Sequence, residues 1–265
     1  MTLAIRKKTT PEWISLAVFL FFVSLPALTL AQRPFLATES AIPVDRGAYR
    51  LETGIVANRY SAGTRGITFN TSLRYGLIQN LEIDFELPYL FFEDKGDHLE
   101  HIGDVLLKTK VRFLKGRIAN PLSLAGMLVI KFPSAGKLAF FRPEATGEAD
   151  VGIWALASKE FDLTMVHVNF GYILIGNPAF EDREDQVRYS LGIERGFWDS
   201  NSVLFAELSG SSEVDDAAPN ETLVFAGGFS YEADLDIFLD ASGGVGMTSE
   251  SPDYVISGGL TYYFH

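Results

Sequence analysis

Residues Tyr254–His265 read YVISGGLTYYFH, in which apolar side chains alternate with small or polar ones. In an extended strand, side chains two residues apart point to the same face, so Ile256, Leu260 and Phe264 share one face. Alternation that ends on an aromatic cluster is typical of the strands of transmembrane β-barrels, which meet lipid on one face and a polar lumen on the other. This stretch therefore predicts a strand of a barrel wall.

Segments with the same period recur along the chain and are separated by turn-forming residues. The clearest is Leu81–Phe92, in which Leu81, Ile83 and Phe85 alternate with acidic residues, although Pro88 predicts a bulge toward its end. Twelve segments satisfy the pattern: Gly47–Tyr60, Gly66–Leu77, Leu81–Phe92, Asp104–Phe113, Leu122–Phe132, Ala149–Ser158, Leu163–Leu174, Val187–Arg195, Ser202–Gly210, Thr222–Tyr231, Leu235–Val245 and Tyr254–Phe264.

The connections between these segments are alternately short and long, with Glu93–Gly103 among the long ones. Transmembrane barrels have this rhythm because their periplasmic turns are short and their external loops are long, whereas a soluble β-sandwich does not require it. We therefore predict an all-β fold, a membrane-spanning antiparallel up-and-down barrel of about twelve strands, with both termini in the periplasm.

The first thirty-one residues have the features of an export signal. Arg6, Lys7 and Lys8 precede the apolar run Ile14–Leu25, which is short for a membrane span, and small residues allow cleavage after Ala31. The alternative is an uncleaved anchor. We predict a signal peptide at residues 1–31 and a barrel at 32–265, of which 32–45 are an N-terminal lead-in. The predicted location is the outer membrane of a Gram-negative-type envelope.

The composition limits the partners. The chain has no cysteine, which excludes disulfides and thiolate metal sites, and its net charge of −12 argues against nucleic acid binding. Acidic residues collect in the predicted loops, where solvation explains them. The expected partners are outer-membrane lipid, lipopolysaccharide, an unidentified small solute and the barrel assembly machinery. That machinery usually meets a final aromatic residue, whereas His265 follows Phe264 here.

Charged and polar residues occupy the inward-facing parity of several predicted strands. Paired as a hairpin, the third and fourth segments would place acids opposite bases. Such a ladder would either shape a pore and set its solute preference, or form ion pairs that stiffen a closed barrel, and pairing is the simpler expectation in a narrow lumen. The candidate lumen residues are Glu82, Asp84, Glu86, Asp104, Lys108, Lys110, Arg112, His167, Asn169 and Glu207.

Two groups of histidines are candidates for chemistry. His167 and Asn169 share one strand face, as in barrel lipases, but no serine lies two residues from His167 and no nucleophile motif is present elsewhere. His98 and His101 share an acidic loop, where loose spacing favours solvation over a metal site. We predict no enzymatic activity, no metal site and no cofactor.

Five short stretches, spread in order along the chain, carry a family resemblance: Pro34–Ala41, His101–Phe113, Val168–Tyr172, Phe205–Glu207 and Gly258–Phe264. They resemble the outer-membrane family named after the meta-pathway of phenol degradation. The resemblance implies a barrel transporter and hydrophobic or aromatic solutes, and it supplies no catalytic residues.

Together, these features predict a porin-like channel or transporter for passive uptake or export of small molecules. One alternative is a closed structural or surface-interaction barrel without transport. Another is a membrane-embedded hydrolase.

Overall fold

The computed structural model describes residues 36–60, 63–94, 97–117, 120–135, 146–177, 183–197, 200–214 and 220–264. The predicted signal peptide, the first four residues of the lead-in and His265 lie outside the described residues. Within these ranges, no helix is both long enough and apolar enough to cross a membrane.

Thirteen strands occupy the described part of the chain. They are β1 Tyr49–Arg59, β2 Arg65–Ile78, β3 Leu81–Asp94, β4 Asp97–Ile102, β5 Val105–Leu114, β6 Leu122–Phe132, β7 Asp150–Phe161, β8 Thr164–Leu174, β9 Gln186–Phe197, β10 Ser200–Glu213, β11 Thr222–Asp234, β12 Ile237–Gly246 and β13 Tyr254–Phe264. The twelve predicted segments correspond to β1–β3 and β5–β13, and the bounds of β6 and β13 are those predicted.

Strand β1 closes the sheet into a barrel. It pairs antiparallel with β2 on one side and with β13 on the other, so that Gly54 lies opposite both Asn70 and Gly259. Closure gives the first and last wall strands a partner on each side, which a bilayer requires because it offers no water to exposed backbone groups. The predicted closed antiparallel barrel with twelve wall strands is confirmed.

The two ends of the barrel can be told apart by the register of β1 with β13. Tyr49 pairs with Phe264 at one end, here called the terminal rim, and Arg59 pairs with Tyr254 at the other, here called the distal mouth. The chain enters and leaves the wall at the terminal rim. Both ends of the wall sequence therefore lie on the same side of the membrane that the barrel would span.

The prediction that Glu93–Gly103 is a loop is wrong, because this stretch contains the end of β3 and the additional strand β4. Strand β4 pairs with Tyr89–Asp94 of β3, whereas β5 pairs with Leu81–Glu86. Between them the ladder is interrupted at Pro88, which has no N–H and whose carbonyl accepts a bond from Gly103 N at 2.9 Å. The sequence of β4, DHLEHI, lacks regular alternation, so the hydrophobic pattern could not reveal this strand.

The wall is apolar outside and polar inside. Phe113 is 70% exposed, whereas the adjacent Arg112 is 8% exposed. Tyr49 and Tyr75 stack with ring centroids 4.4 Å apart at the terminal rim, where an interfacial aromatic girdle is expected. Other outward apolar side chains include Ile55, Phe69, Phe85, Ile153, Phe170, Phe229 and Ile256. The outer surface therefore suits hydrocarbon, and the polar side chains at the alternate positions of the strands point into the lumen.

Candidate functional site in the lumen

The lead-in folds into the barrel. Its described part up to Val44, here called the inner segment (residues 36–44), runs through the lumen and is held by side chains of the wall. Six main-chain N–H groups donate to four wall residues: those of Leu36, Ala37 and Thr38 to Glu207 (2.7, 2.9 and 2.6 Å), of Glu39 to Asn169 Oδ1 (2.6 Å), of Ala41 to Ser158 Oγ (2.8 Å) and of Val44 to Glu82 Oε2 (2.7 Å). The inner segment is thus bound by side chains and not by a strand ladder.

Glu207 of β10 is the main anchor of the inner segment. Besides three main-chain bonds, its carboxylate accepts a bond from Thr38 Oγ1 at 2.7 Å. Glu207 is 1% exposed, and a buried carboxylate must be compensated by hydrogen bonds or charge. These four donors supply that compensation, so the anchor and the inner segment stabilise each other.

Asn169 of β8 binds the main chain of Glu39 reciprocally. Its Oδ1 accepts from Glu39 N, while its Nδ2 donates to Glu39 O at 2.9 Å. Ser190 Oγ of β9 donates to the same Oδ1 at 3.2 Å, which fixes the orientation of the amide. Asn169 therefore sets the position at which the Glu39 side chain leaves the segment.

The Glu39 carboxylate lies in a group of cations. Arg74 of β2 donates to both of its oxygens, at 2.8 and 2.9 Å. Lys110 Nζ lies 3.3 Å from Oε2, and Lys108 Nζ lies 3.9 Å from Oε1. A two-bond contact from a planar guanidinium is the strong and specific form of carboxylate recognition.

The wall around Glu39 carries paired charges of both signs, here called the lumen cluster: Arg50, Glu52, Arg74, Glu82, Asp84, Glu86, Lys108 and Lys110. Its closest pairs are Lys108–Glu86 at 2.6 Å, Arg50–Glu52 at 3.0 Å and Lys110–Glu82 at 3.1 Å. Arg74 lies 3.2 to 3.5 Å from Glu52, Asp84 and Glu82. The four basic side chains thus meet four acidic ones, and Glu39 adds a fifth carboxylate.

Five of the candidate lumen residues proposed from the sequence meet in this cluster. In the β3–β5 register, Glu82 lies opposite Lys110 and Asp84 lies opposite Lys108. Glu86 pairs with Lys108 diagonally. His167, Asn169 and Glu207 lie on other strands, where Asn169 and Glu207 bind the inner segment directly.

Two candidates on β5 and next to it lie apart from the cluster. Arg112 points to the terminal rim and binds Asn80 Oδ1 at 3.1 and 3.2 Å in the β2–β3 turn. Asp104 lies toward the distal mouth and accepts from Ala135 N at 2.8 Å and Gly147 N at 3.0 Å, which ties down the described ends of the β6–β7 connection. Both side chains are buried, and each of them binds a connection between strands and does not extend the row of charges of the lumen cluster.

His167 has a serine partner that the sequence analysis missed. Ser158 lies directly opposite it on β7, with Oγ 2.8 Å from His167 Nδ1, and Glu194 Oε1 lies 3.4 Å from Nε2. Because Ala41 N can only donate to Ser158 Oγ, the serine can give its own proton to Nδ1, and Nε2–H then faces Glu194. The search for a serine on the same strand could not find a partner on the neighbouring one.

This Ser–His–Glu row is poorly placed for hydrolysis. Ser158, His167 and Glu194 are each at most 2% exposed. The inner segment covers the Ser158 hydroxyl through the Ala41 bond. A nucleophile needs room for substrate beside its oxygen, and here that space is taken. The row acts as a support for the inner segment.

A cavity of about 560 Å³, here called the vestibule, lies in the lumen beside the inner segment. Its lining includes Asn58, Ile173 and Thr222, which lie near the strand ends at the distal mouth. It also includes residues 36–40, so the inner segment forms its floor. Along the described wall, the lining of the vestibule therefore reaches from the distal strand ends to the inner segment.

The vestibule has an apolar side. Met127, Val129 and Trp154 line it, and Val129 and Trp154 pack on the buried cluster that contains Met127 and Ala41. The Trp154 ring lies against Gly171 of β8, where a Cβ atom would overlap it. Glycine at this position therefore creates the space in which the indole lies.

No protein-family model and no curated protein matches the sequence, but solved structures do. An outer-membrane channel from Pseudomonas putida F1 has a TM-score of 0.71 and 14% identity, over 88% of this chain and 100% of that one. The NanC porin has a TM-score of 0.56 and 9% identity, over 81% and 98% of the two chains. The translocator domain of the autotransporter NalP from Neisseria meningitidis has a TM-score of 0.51 and 14% identity, over 82% and 88%. At such identities the similarity shows a shared barrel fold.

Proposed function

We propose that the protein is an outer-membrane channel that passes small molecules passively and is closed by the inner segment. The observation that carries this proposal is the vestibule, a lumen cavity with charged and apolar sides that borders on a peptide segment outside the strand pairing of the wall. An apolar exterior and a closed backbone ladder suit the outer membrane. The channel and the porin among the similar structures support transport, although the fold alone does not determine function.

The inner segment can act as a removable barrier. Its main-chain bonds go to wall side chains, and the wall keeps its own strand pairing without it. Withdrawal toward the terminal rim would exchange those bonds for bonds to water. Order–disorder of a tethered segment is an established way to switch a site. The wall would then remain intact around an open path.

Deleting residues 36–42 tests the proposal. We expect the folded deletion variant to conduct in planar bilayers, and the full chain to conduct only in rare openings. A matched variant, Ala41→Cys with Ser158→Cys, joins positions whose backbone N and Oγ atoms lie 2.8 Å apart. Since the chain has no other cysteine, oxidation should lock it shut and reduction should restore the wild-type current. A folded deletion variant without current would refute the channel.

A closed structural or surface-interaction barrel is the second candidate, because the inner segment and the ion pairs of the lumen cluster lie inside the lumen. It predicts no current from either the full chain or the deletion variant. We infer that the protein is not a hydrolase, because the inner segment covers the Ser158 hydroxyl. Ester, lipid and peptide hydrolysis by the detergent-solubilised protein tests this inference, and activity lost in Ser158→Ala would contradict it.

The resemblance to the phenol-degradation family supports hydrophobic or aromatic solutes. The proposed partners are membrane lipid at the apolar outer face, lipopolysaccharide at the acidic loops and the assembly machinery at the β13 end. No cofactor is needed for diffusion down a gradient. Uptake of radiolabelled phenol by cells with and without the protein tests the solute class.

A further inference from the structure

We propose that the channel carries small carboxylates with a compact apolar body, and that these solutes compete with Glu39 for Arg74. In this view Glu39 is a tethered occupant of the solute site. The inference rests on the proposed channel function, because it names the solute class of that channel.

The first step is the geometry at Glu39. Both carboxylate oxygens are bound by the Arg74 guanidinium, and Lys110 adds a third contact. The carboxylate belongs to a segment without strand pairing, whereas its cationic partners belong to the rigid wall. The site is therefore preformed for a carboxylate that need not be part of the wall.

The second step is what remains when the segment leaves. Lys108 keeps Glu86, and Lys110 keeps Glu82. Arg74 loses its two shortest contacts and retains pairs of 3.2 Å or longer. The groups that lose a partner are thus N–H donors on cations, for which an anionic acceptor with two oxygens is the strongest partner. A neutral solute would accept weaker bonds from these donors, and a cationic solute would be repelled by them.

The third step is access. Glu39, Arg74 and Lys108 all line the vestibule, so a solute that enters by the distal mouth reaches the carboxylate site before passing the segment. Met127, Val129 and Trp154 line the same cavity. An apolar or aromatic body can contact these side chains while its carboxylate replaces that of Glu39.

The experiment compares two variants that should both release the inner segment. Glu207→Gln removes the main-chain anchor and keeps Arg74, whereas Arg74→Gln removes the carboxylate receptor. Benzoate, benzyl alcohol and benzylamine are added at the distal side in planar bilayers. We expect benzoate to block Glu207→Gln at a concentration about tenfold or more below that needed for Arg74→Gln, from the loss of charge-assisted bonds. The neutral and cationic probes should act alike on both variants.

A second measurement does not depend on the folding of Arg74→Gln. A spin label on Ala37→Cys in the full chain reports release of the segment, since no other cysteine is present. We expect benzoate to raise the mobile fraction and benzyl alcohol to leave it unchanged. Equal responses to benzoate and benzyl alcohol would overturn the carboxylate preference while leaving the channel standing. If the folded variant that lacks residues 36–42 shows no current, the channel itself is refuted, and its solute class with it.

Discussion

Replacing Glu207 with Gln should open the barrel without unfolding it. The carboxylate accepts four bonds from the inner segment, all of 2.9 Å or less. Glutamine has one acceptor oxygen, and its NH₂ group would face a main-chain donor. A charge-assisted bond contributes about 1.5–3 kcal/mol and a neutral one about 0.5–1.5 kcal/mol. Weakening three bonds and losing one should therefore cost about 6 kcal/mol of segment binding.

That cost corresponds to roughly four orders of magnitude in the ratio of bound to released segment, at about 1.4 kcal/mol per factor of ten. The assay is open probability in single-channel recordings, with heat-modifiable migration on gels to show that the barrel is folded. Glu213→Gln is the matched control, because Glu213 lies on the same strand and its carboxylate accepts from Asn220 N and Nδ2 at the distal mouth, away from the inner segment. A folded Glu207→Gln barrel with the open probability of Glu213→Gln would refute the anchoring role.

Two further predictions concern the wall. The double variant Lys108→Glu with Lys110→Glu should lower the denaturant midpoint of the barrel, because Glu86 and Glu82 would then face like charges. Adding Glu82→Lys and Glu86→Lys should recover part of the loss. An unchanged midpoint in the double variant would contradict the pairing. Gly171→Ala should displace the Trp154 ring into the vestibule and shift the tryptophan emission, whereas Gly126→Ala, with its nearest atom 3.8 Å from the new Cβ, should not. If Gly171→Ala and the wild-type protein have identical emission spectra, the Trp154 ring is not tightly packed against Gly171.

Alternation along the strands was sufficient to predict the wall. Even the sixth and eleventh predicted segments, which are rich in small residues, form β7 and β12. Two-residue periodicity is imposed wherever one face meets lipid and the other a polar lumen, so it marks each such strand. The same rule predicted that the acids of β3 and the bases of β5 share the lumen face, whereas the exact pairing of Asp84 with Lys108 depends on the register, which the long Glu93–Gly103 connection does not determine.

The interior of the lumen could not be predicted in this way. The inner segment has no periodicity, since it is held by scattered side chains of β3, β7, β8 and β10 that lie far from it in sequence. Arg74 and Glu39 come together only after closure. Ser158 and His167 meet across neighbouring strands, which requires the register of β7 with β8. These contacts depend on tertiary structure, for which a single sequence carries no local signal.

The short connection between Glu39 and the wall has a consequence for the solute concentrations to which the protein can respond. Only residues 40–48 separate Glu39 from the start of β1. A ligand on so short a tether has an effective concentration of about millimolar. A free solute that binds Arg74 with the same affinity as Glu39 must reach a similar concentration before it displaces Glu39 from half of the molecules. The barrel would then stay sealed in dilute surroundings and admit its cargo only where that cargo is abundant, which would limit leakage of the periplasm.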